Sequence, residues 1–185
     1  MAQRPSPSSA EWFTVFWLFL AALATSCRTS RIAPDAGTLT PTSGATNEQV
    51  FTATYVDRGD GLRTVSILFD TAVNGAHACW VEYNTHNDAF TSLSNDPGAG
   101  FLSLRTDDGT RFLEPIPADS TEEQSNTQCT ISARGFHASR SGQVLTVQYP
   151  LRFSPAFRGA RHVYLLASSD YAFSGWQERG TWQVP

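Results

Sequence analysis

Along most of this chain, apolar and polar residues alternate one by one. Phe51, Ala53 and Tyr55 are interleaved with Thr52 and Thr54, Val65, Ile67 and Phe69 with Ser66 and Leu68, and Cys79, Val81 and Tyr83 with Trp80 and Glu82. The clearest run sets Leu145, Val147, Tyr149, Leu151 and Phe153 against Thr146, Gln148, Pro150 and Arg152, and Val163, Leu165 and Ala167 follow it. A period of two puts the first-named residues of each run on one face of a pleated strand, toward a core, and the others toward solvent. Gly, Asn, Asp and Pro punctuate the runs, and a last strand closes at "GTWQVP". No stretch of ten or more residues beyond the N-terminal block keeps a helical period. The pattern predicts an all-β fold: a two-sheet antiparallel β-sandwich, broadly immunoglobulin-like, of roughly seven to nine short strands, with a small β-barrel as the second architecture.

Three positions refine this expectation. Pro150 has no N–H for a ladder, so its strand is expected at a sheet edge or with a bulge there. The longest gap between runs, Asp107 to Asn126, contains "EPIPADSTEEQSN" and reads as an exposed loop. Cys79 falls in the third or fourth predicted strand and Trp80 follows it directly, a departure from the antibody-type cysteine pattern.

The first residues break the alternation. "WFTVFWLFLAALA", Trp12 to Ala24, is an apolar run of 13. That suits the h-region of a secretory signal and falls short of the ~20 residues of a spanning helix. It ends in "LATSC", where small residues before Cys27 resemble the lipobox of bacterial lipoproteins, whose Cys is diacylated and becomes the new N-terminus. Ala24 stands where that family prefers Leu, and Glu11 weakens the positive n-region. An ordinary secretory signal cleaved nearby and an uncleaved anchor are the other readings. The segment after Cys27 is rich in Ser, Thr, Pro, Gly and Ala and lacks periodicity, as a tether would. The expected organisation is a signal peptide over 1–26, a tether over 27–36 and a β-sandwich over 37–185. The expected location is the cell envelope, lipid-anchored to a membrane on the outer-membrane or periplasmic side, or otherwise secreted.

Composition and charge narrow the partners. Of 185 residues, 41% are hydrophobic and 16% charged, enough apolar material for a core. A net charge of -4 leaves no basic footprint for nucleic acid. If Cys27 carries lipid, Cys79 and Cys129 remain as an even pair in an oxidising compartment and are expected to bridge. Two buried thiols in a cytosolic protein would conflict with the export signal.

Three segments, "QVFTATYVD" (Gln49–Asp57), "LSNDPGAGFL" through "NTQCTIS" (Leu93–Ser132) and "SGWQERGTWQVP" (Ser174–Pro185), carry a resemblance. Together they resemble a largely uncharacterised immunoglobulin-like β-sandwich module of bacterial secreted and extracellular proteins, over roughly residues 37–185. Its most specific parts are Asn126-x-Gln128-Cys129 and the closing Trp176-Gln177 with Gly180-Thr181-Trp182. The resemblance implies an extracellular, disulfide-containing module and brings no catalytic residues with it. This chain departs from the usual context by carrying one module behind its own export signal.

Candidate chemistry is sparse. Arg58-Gly59-Asp60 lies between two predicted strands and admits three readings: an adhesive signal, the rim of a structural calcium site built on Asp57 and Asp60, or a turn in which Gly supplies positive φ and Asp bonds nearby backbone. Asp107-Asp108-Gly109 and Asn95-Asp96-Pro97-Gly98 are weaker versions of the same composition. Trp80 should point away from the core and could stack on a ligand, bordered by Arg63, Glu82 or Tyr164 if their strands are neighbours. The alternatives are a loop that covers it or a parity slip at a bulge. Trp176 and Trp182 are expected in core or sheet-end packing. His77, His86, His137 and His162 lack metal-ligand spacing, and neither a Gly-x-Ser-x-Gly elbow nor a phosphate-cradling loop is present. Glu114, Asp119, Glu122 and Glu123 could supply a carboxylate pair but share one polar segment. The expected function is a binding or structural module for an unknown glycan, peptide or protein. The other reading is a small extracellular hydrolase whose carboxylates converge only in the fold.

Overall fold

Residues that alternate in polarity are extended in the protein, and the turn formers between them reverse the chain. The computed structural model describes residues 32–85 and 100–185. The segment read as an export signal, with Cys27, lies outside the described residues, as do His86 and residues 95–98, where the sequence suggested a turn. Thirteen strands are described: β1 (Asp35–Thr40), β2 (Ser43–Gly44), β3 (Glu48–Val56), β4 (Thr64–Asp70), β5 (Cys79–Asn84), β6 (Phe101–Leu104), β7 (Ile116–Pro117), β8 (Glu123–Ser125), β9 (Cys129–Ser132), β10 (His137–Ser141), β11 (Val144–Phe153), β12 (Gly159–Ser168) and β13 (Gln177–Val184). A 3-10 turn at Pro155–Phe157 is the one helical element among the described residues.

The strands form two sheets. The first runs β1-β3-β11-β9-β8, with β10 also pairing β11, and the second runs β2-β13-β12-β4-β5-β6-β7. Neither closes on itself, so the fold is the sandwich and not the barrel. The pairs are antiparallel except β2 with β13, which run parallel at Thr181 and Ser43. The first-named residues of every alternating run point between the sheets and are buried. At one end of the core Phe51 packs against Phe69 at 4.8 Å and Trp182 at 4.9 Å, with Phe153 against Phe69 at 4.9 Å. At the other, Tyr55 and Tyr149 bring their hydroxyls to 3.2 Å, and the Tyr55 hydroxyl donates to the Ser66 carbonyl at 3.1 Å. Burial pushes both phenols upward, so they remain neutral donors.

Two expectations are corrected. Pro150 does not lie in an edge strand: β11 is central, paired with β3 on one side from Val144 to Arg152. On its other side β11 pairs β10 from Val144 to Gln148 and β9 from Leu151 to Phe153. The Phe153 amide donates to Asn47 on the β3 side. Ladder direction alternates along a strand, so the Pro150 nitrogen faces the break between β9 and β10, where no N–H is needed. The segment from Asp107 to Asn126 is not one exposed loop. It contains β7 and β8, and it buries Ile116, Ala118 and Gln124. The Gln124 side chain accepts from the Leu104 amide at 2.7 Å and donates to the Glu114 carbonyl.

Cys79 of β5 and Cys129 of β9 form a disulfide between the two sheets, with Cα atoms 5.6 Å apart. Beside it, Asn126 donates to the carbonyls of Ala78 and Arg105, each at 3.0 Å, and accepts from the amides of Gln128 at 2.9 Å and Cys129 at 2.8 Å. One side chain thus joins strand ends of the second sheet to the turn that opens β9. The bridge spans a separation of 50 residues, and replacing both cysteines by Ala should lower unfolding free energy by about 4 kcal/mol in chemical denaturation. Asn126→Ala should cost ~2 kcal/mol by the same measurement with the disulfide intact, because it strands several backbone partners at once.

Candidate functional site

Two surfaces and one turn collect the side chains capable of recognition. The first surface is the outer face of the second sheet. Trp80 points outward, as the parity of β5 requires, in a row with Leu68 of β4 and Tyr164 of β12. It is not an open platform. Phe112, from the loop after β6, packs edge-on at 5.4 Å, and Trp176, just before β13, does so at 5.1 Å. The Arg105 guanidinium lies 4.5 Å from the Trp80 ring centre and 4.7 Å from that of Phe112, with its Nε donating to the Gly109 carbonyl at 3.0 Å. The indole N–H is buried without a hydrogen-bond partner. Loops therefore partly cover Trp80, which stays half-buried in a cluster with Phe112, Trp176 and Arg105, themselves half-buried. Leu68 separates Tyr164 from it, and Arg63 is held elsewhere by Asp170 at 2.6 Å. Trp182 lies in the main core, its Nε1 donating to the Thr46 carbonyl at 3.0 Å.

Glu82 does border Trp80, two positions along the same outward face. Its cross-strand neighbours are Ser66 and Ser103. Burial pushes its carboxyl above the ordinary glutamate range, and the Arg105 guanidinium partly opposes that shift.

The reversal between β3 and β4 is turn chemistry. Asp57 Oδ1 accepts from the amides of Gly59 at 2.7 Å and Gly61 at 3.1 Å, and both glycines have positive φ, 117° and 79°. The other carboxylate oxygen of Asp57 faces Arg140 at 3.3 Å, and Arg58 faces Asp35 at 3.4 Å. A cation at Asp57 and Asp60 would meet these donors first. Asp107 and Asp108 are similarly engaged. Asp107 accepts from the Thr127 amide and hydroxyl, both at 2.9 Å. Asp108 accepts from Thr106 at 2.5 Å and from Thr110, bonds that hold its carboxyl down at about 2. Among the described residues no group of three or more His, Cys, Asp or Glu is placed to hold a metal ion. His162 pairs with Glu178 at 2.8 Å, His77 precedes β5 and His137 opens β10.

The second surface was not flagged by the alternating pattern. On the outer face of the first sheet an open trough of about 450 Å³ runs across β3, β11, β9 and β8. Val50, 45% exposed, and Pro150 stand opposite one another on its floor. Around them lie the hydroxyl residues Thr130 and Ser132, the Arg152 guanidinium and the carboxylates of Glu48 and Glu123. Arg152 and Glu123 approach to 3.6 Å. Of the four acidic residues expected to share one segment, Glu123 reaches this trough, and Glu114, Asp119 and Glu122 are exposed elsewhere. The break between β9 and β10 lies beside Pro150, so the Ser132 carbonyl opposite it receives no N–H from that residue.

No family model and no curated protein matches this chain.

Because the folded state holds Glu82 above its unfolded value of 4.5, ionising it costs stability as pH rises through the folded pKa. Glu82→Gln should therefore raise the melting temperature at pH 7, and the gain should vanish below about pH 4, where the unfolded carboxyl is protonated too. A gain that persists at pH 3 would assign the effect to packing.

Proposed function

We propose that this chain is an exported envelope module, anchored to a membrane through lipid on Cys27, and that it binds a neutral, hydroxyl-rich ligand of the oligosaccharide class. One observation carries the binding reading: the trough on the first sheet combines an aliphatic floor with hydrogen-bonding groups of both kinds. Val50 and Pro150 suit the C–H face of a sugar ring. Thr130, Ser132, Arg152, Glu48 and Glu123 ring that floor with donors and acceptors. Arg152 and Glu123 offset one another and Glu48 leaves one carboxylate over, which disfavours an anionic partner and suits a neutral, hydroxyl-bearing one. The inter-sheet disulfide and the resemblance to secreted sandwich modules support the exported location.

Titration calorimetry and protein NMR with soluble chito-, cello- and malto-oligosaccharides test this directly. The expected result is an affinity on the order of 1 mM or tighter for one series, with shifts confined to β3, β9 and β11. Arg152→Ala should weaken binding roughly tenfold, as loss of one charge-assisted contact would. No binding by any series, with the fold intact, would leave a structural role. Glu48 and Glu123 line the same trough, so release of shorter sugars that stops in Glu123→Gln would replace binding by hydrolysis.

A further inference from the structure

The chain enters the sandwich at one end, and that end carries exposed apolar side chains. Asp35, which opens β1, pairs with Val56 at the close of β3. The same end holds the turn between β3 and β4 and the hairpin tip between β12 and β13, connected through the Arg63–Asp170 pair. The tip is tight: the Ser169 amide donates to the Ala172 carbonyl at 2.8 Å, and Ser168 bridges Phe173. From it Tyr171 and Phe173 stand 63% and 68% exposed, while Ile32, three residues before β1, is 62% exposed. Among the described residues the cations here pair off as Arg58 with Asp35, Arg63 with Asp170 and Arg140 with Asp57, and Asp60 is left over. The described residues of this end therefore present aromatic and aliphatic surface without excess positive charge.

We propose that this end is a membrane seat: Phe173, Tyr171 and Ile32 dip into the interfacial layer of the bilayer that holds Cys27. The seat rests on the lipid-anchor reading and not on the trough. Cys27 is eight positions before Asp35. That stretch cannot span more than about 28 Å even when fully extended. The exposed tip is thereby confined near the lipid surface, where a high effective concentration makes contacts too weak for independent binding sufficient. Tyr suits such a boundary, with an apolar ring and a polar hydroxyl. The paired charges point to an apolar contact, indifferent to anionic lipid.

Hydroxyl-radical footprinting of the full lipidated chain tests the seat. The chain is reconstituted into phosphatidylcholine vesicles, with full-length Cys27→Ser beside the same vesicles as reference. Expected is a severalfold fall in labelling at Tyr171 and Phe173, none at His162 toward the opposite end, and no change at about 0.5 M NaCl, where exposed charges are screened. A chain that floats with the vesicles yet labels like the reference overturns the seat and leaves the anchor. A chain that fails to float, or whose intact mass shows no acyl group on Cys27, overturns both. Protection lost in high salt overturns the apolar contact in favour of an electrostatic one. Protection in native membranes but not in pure lipid makes the tip a protein contact and also overturns the proposal.

Discussion

The tie between the two sheets at Cys79 and Cys129 is the constraint on which the rest of the structure depends. Each sheet has one mainly apolar face, and the burial of those faces holds the sandwich together, with a few cross-sheet hydrogen bonds made by Tyr55 and Gln124. The bridge adds a fixed point. Asn126 extends it, because its amide bonds strand ends of the second sheet while its carbonyl caps the turn into β9. Asp107, bonded to Thr127, fastens the loop after β6 to the same turn. The Asn-x-Gln-Cys segment thus has a physical reason: it is the corner where a crossing between sheets is locked.

The edge of the second sheet at β2 and β13 has its own lock, made by close approach. A Cβ on Gly180 would meet the Thr42 carbonyl oxygen at 2.1 Å, and one on Gly44 would meet the Trp182 ring at 2.3 Å. These glycines let the parallel strand β2 lie flat against β13, with the Trp182 indole N–H satisfied by Thr46. The closing Gly-Thr-Trp is therefore a packing device in which side-chain absence matters as much as the indole.

The two outer faces are treated differently. In the second sheet β4 is buried on both sides, with Ser66 and Leu68 on its outer side as inaccessible as Ile67, so its outer face is covered. Phe112, Trp176 and Arg105 supply a partial cover around Trp80, which turns a candidate recognition face into a half-buried aromatic cluster. The first sheet has alternating, polar outward positions and needs no cover. Its surface stays open, and a strand break beside Pro150 deepens it into the trough. Accessibility, more than aromatic content, separates the proposed binding surface from the packed one.

Period-two alternation determined the long strands β3, β4, β5, β11 and β12, their inward faces and the sandwich class, because a pleated strand translates residue parity directly into facing, while most of the short strands among the thirteen carry too few residues to show a period. Cysteine parity likewise pointed to the bridge, and Asp-Gly spacing to the turn at residues 57–61, since both depend on local chemistry. Only the tertiary structure decided what lay across the chain. Pro150 fits a central strand because β9 and β10 part company beside it. Trp80 is partly covered because two loops distant in sequence return over it. Glu48 and Glu123 share a trough because β3 and β8 flank β11 and β9. Ile116 is buried within an otherwise polar segment because β7 extends the sheet edge at β6. Each of these outcomes is set by which strands become neighbours, and neighbours are selected by the packing of two faces at once, a property that no single stretch of sequence contains.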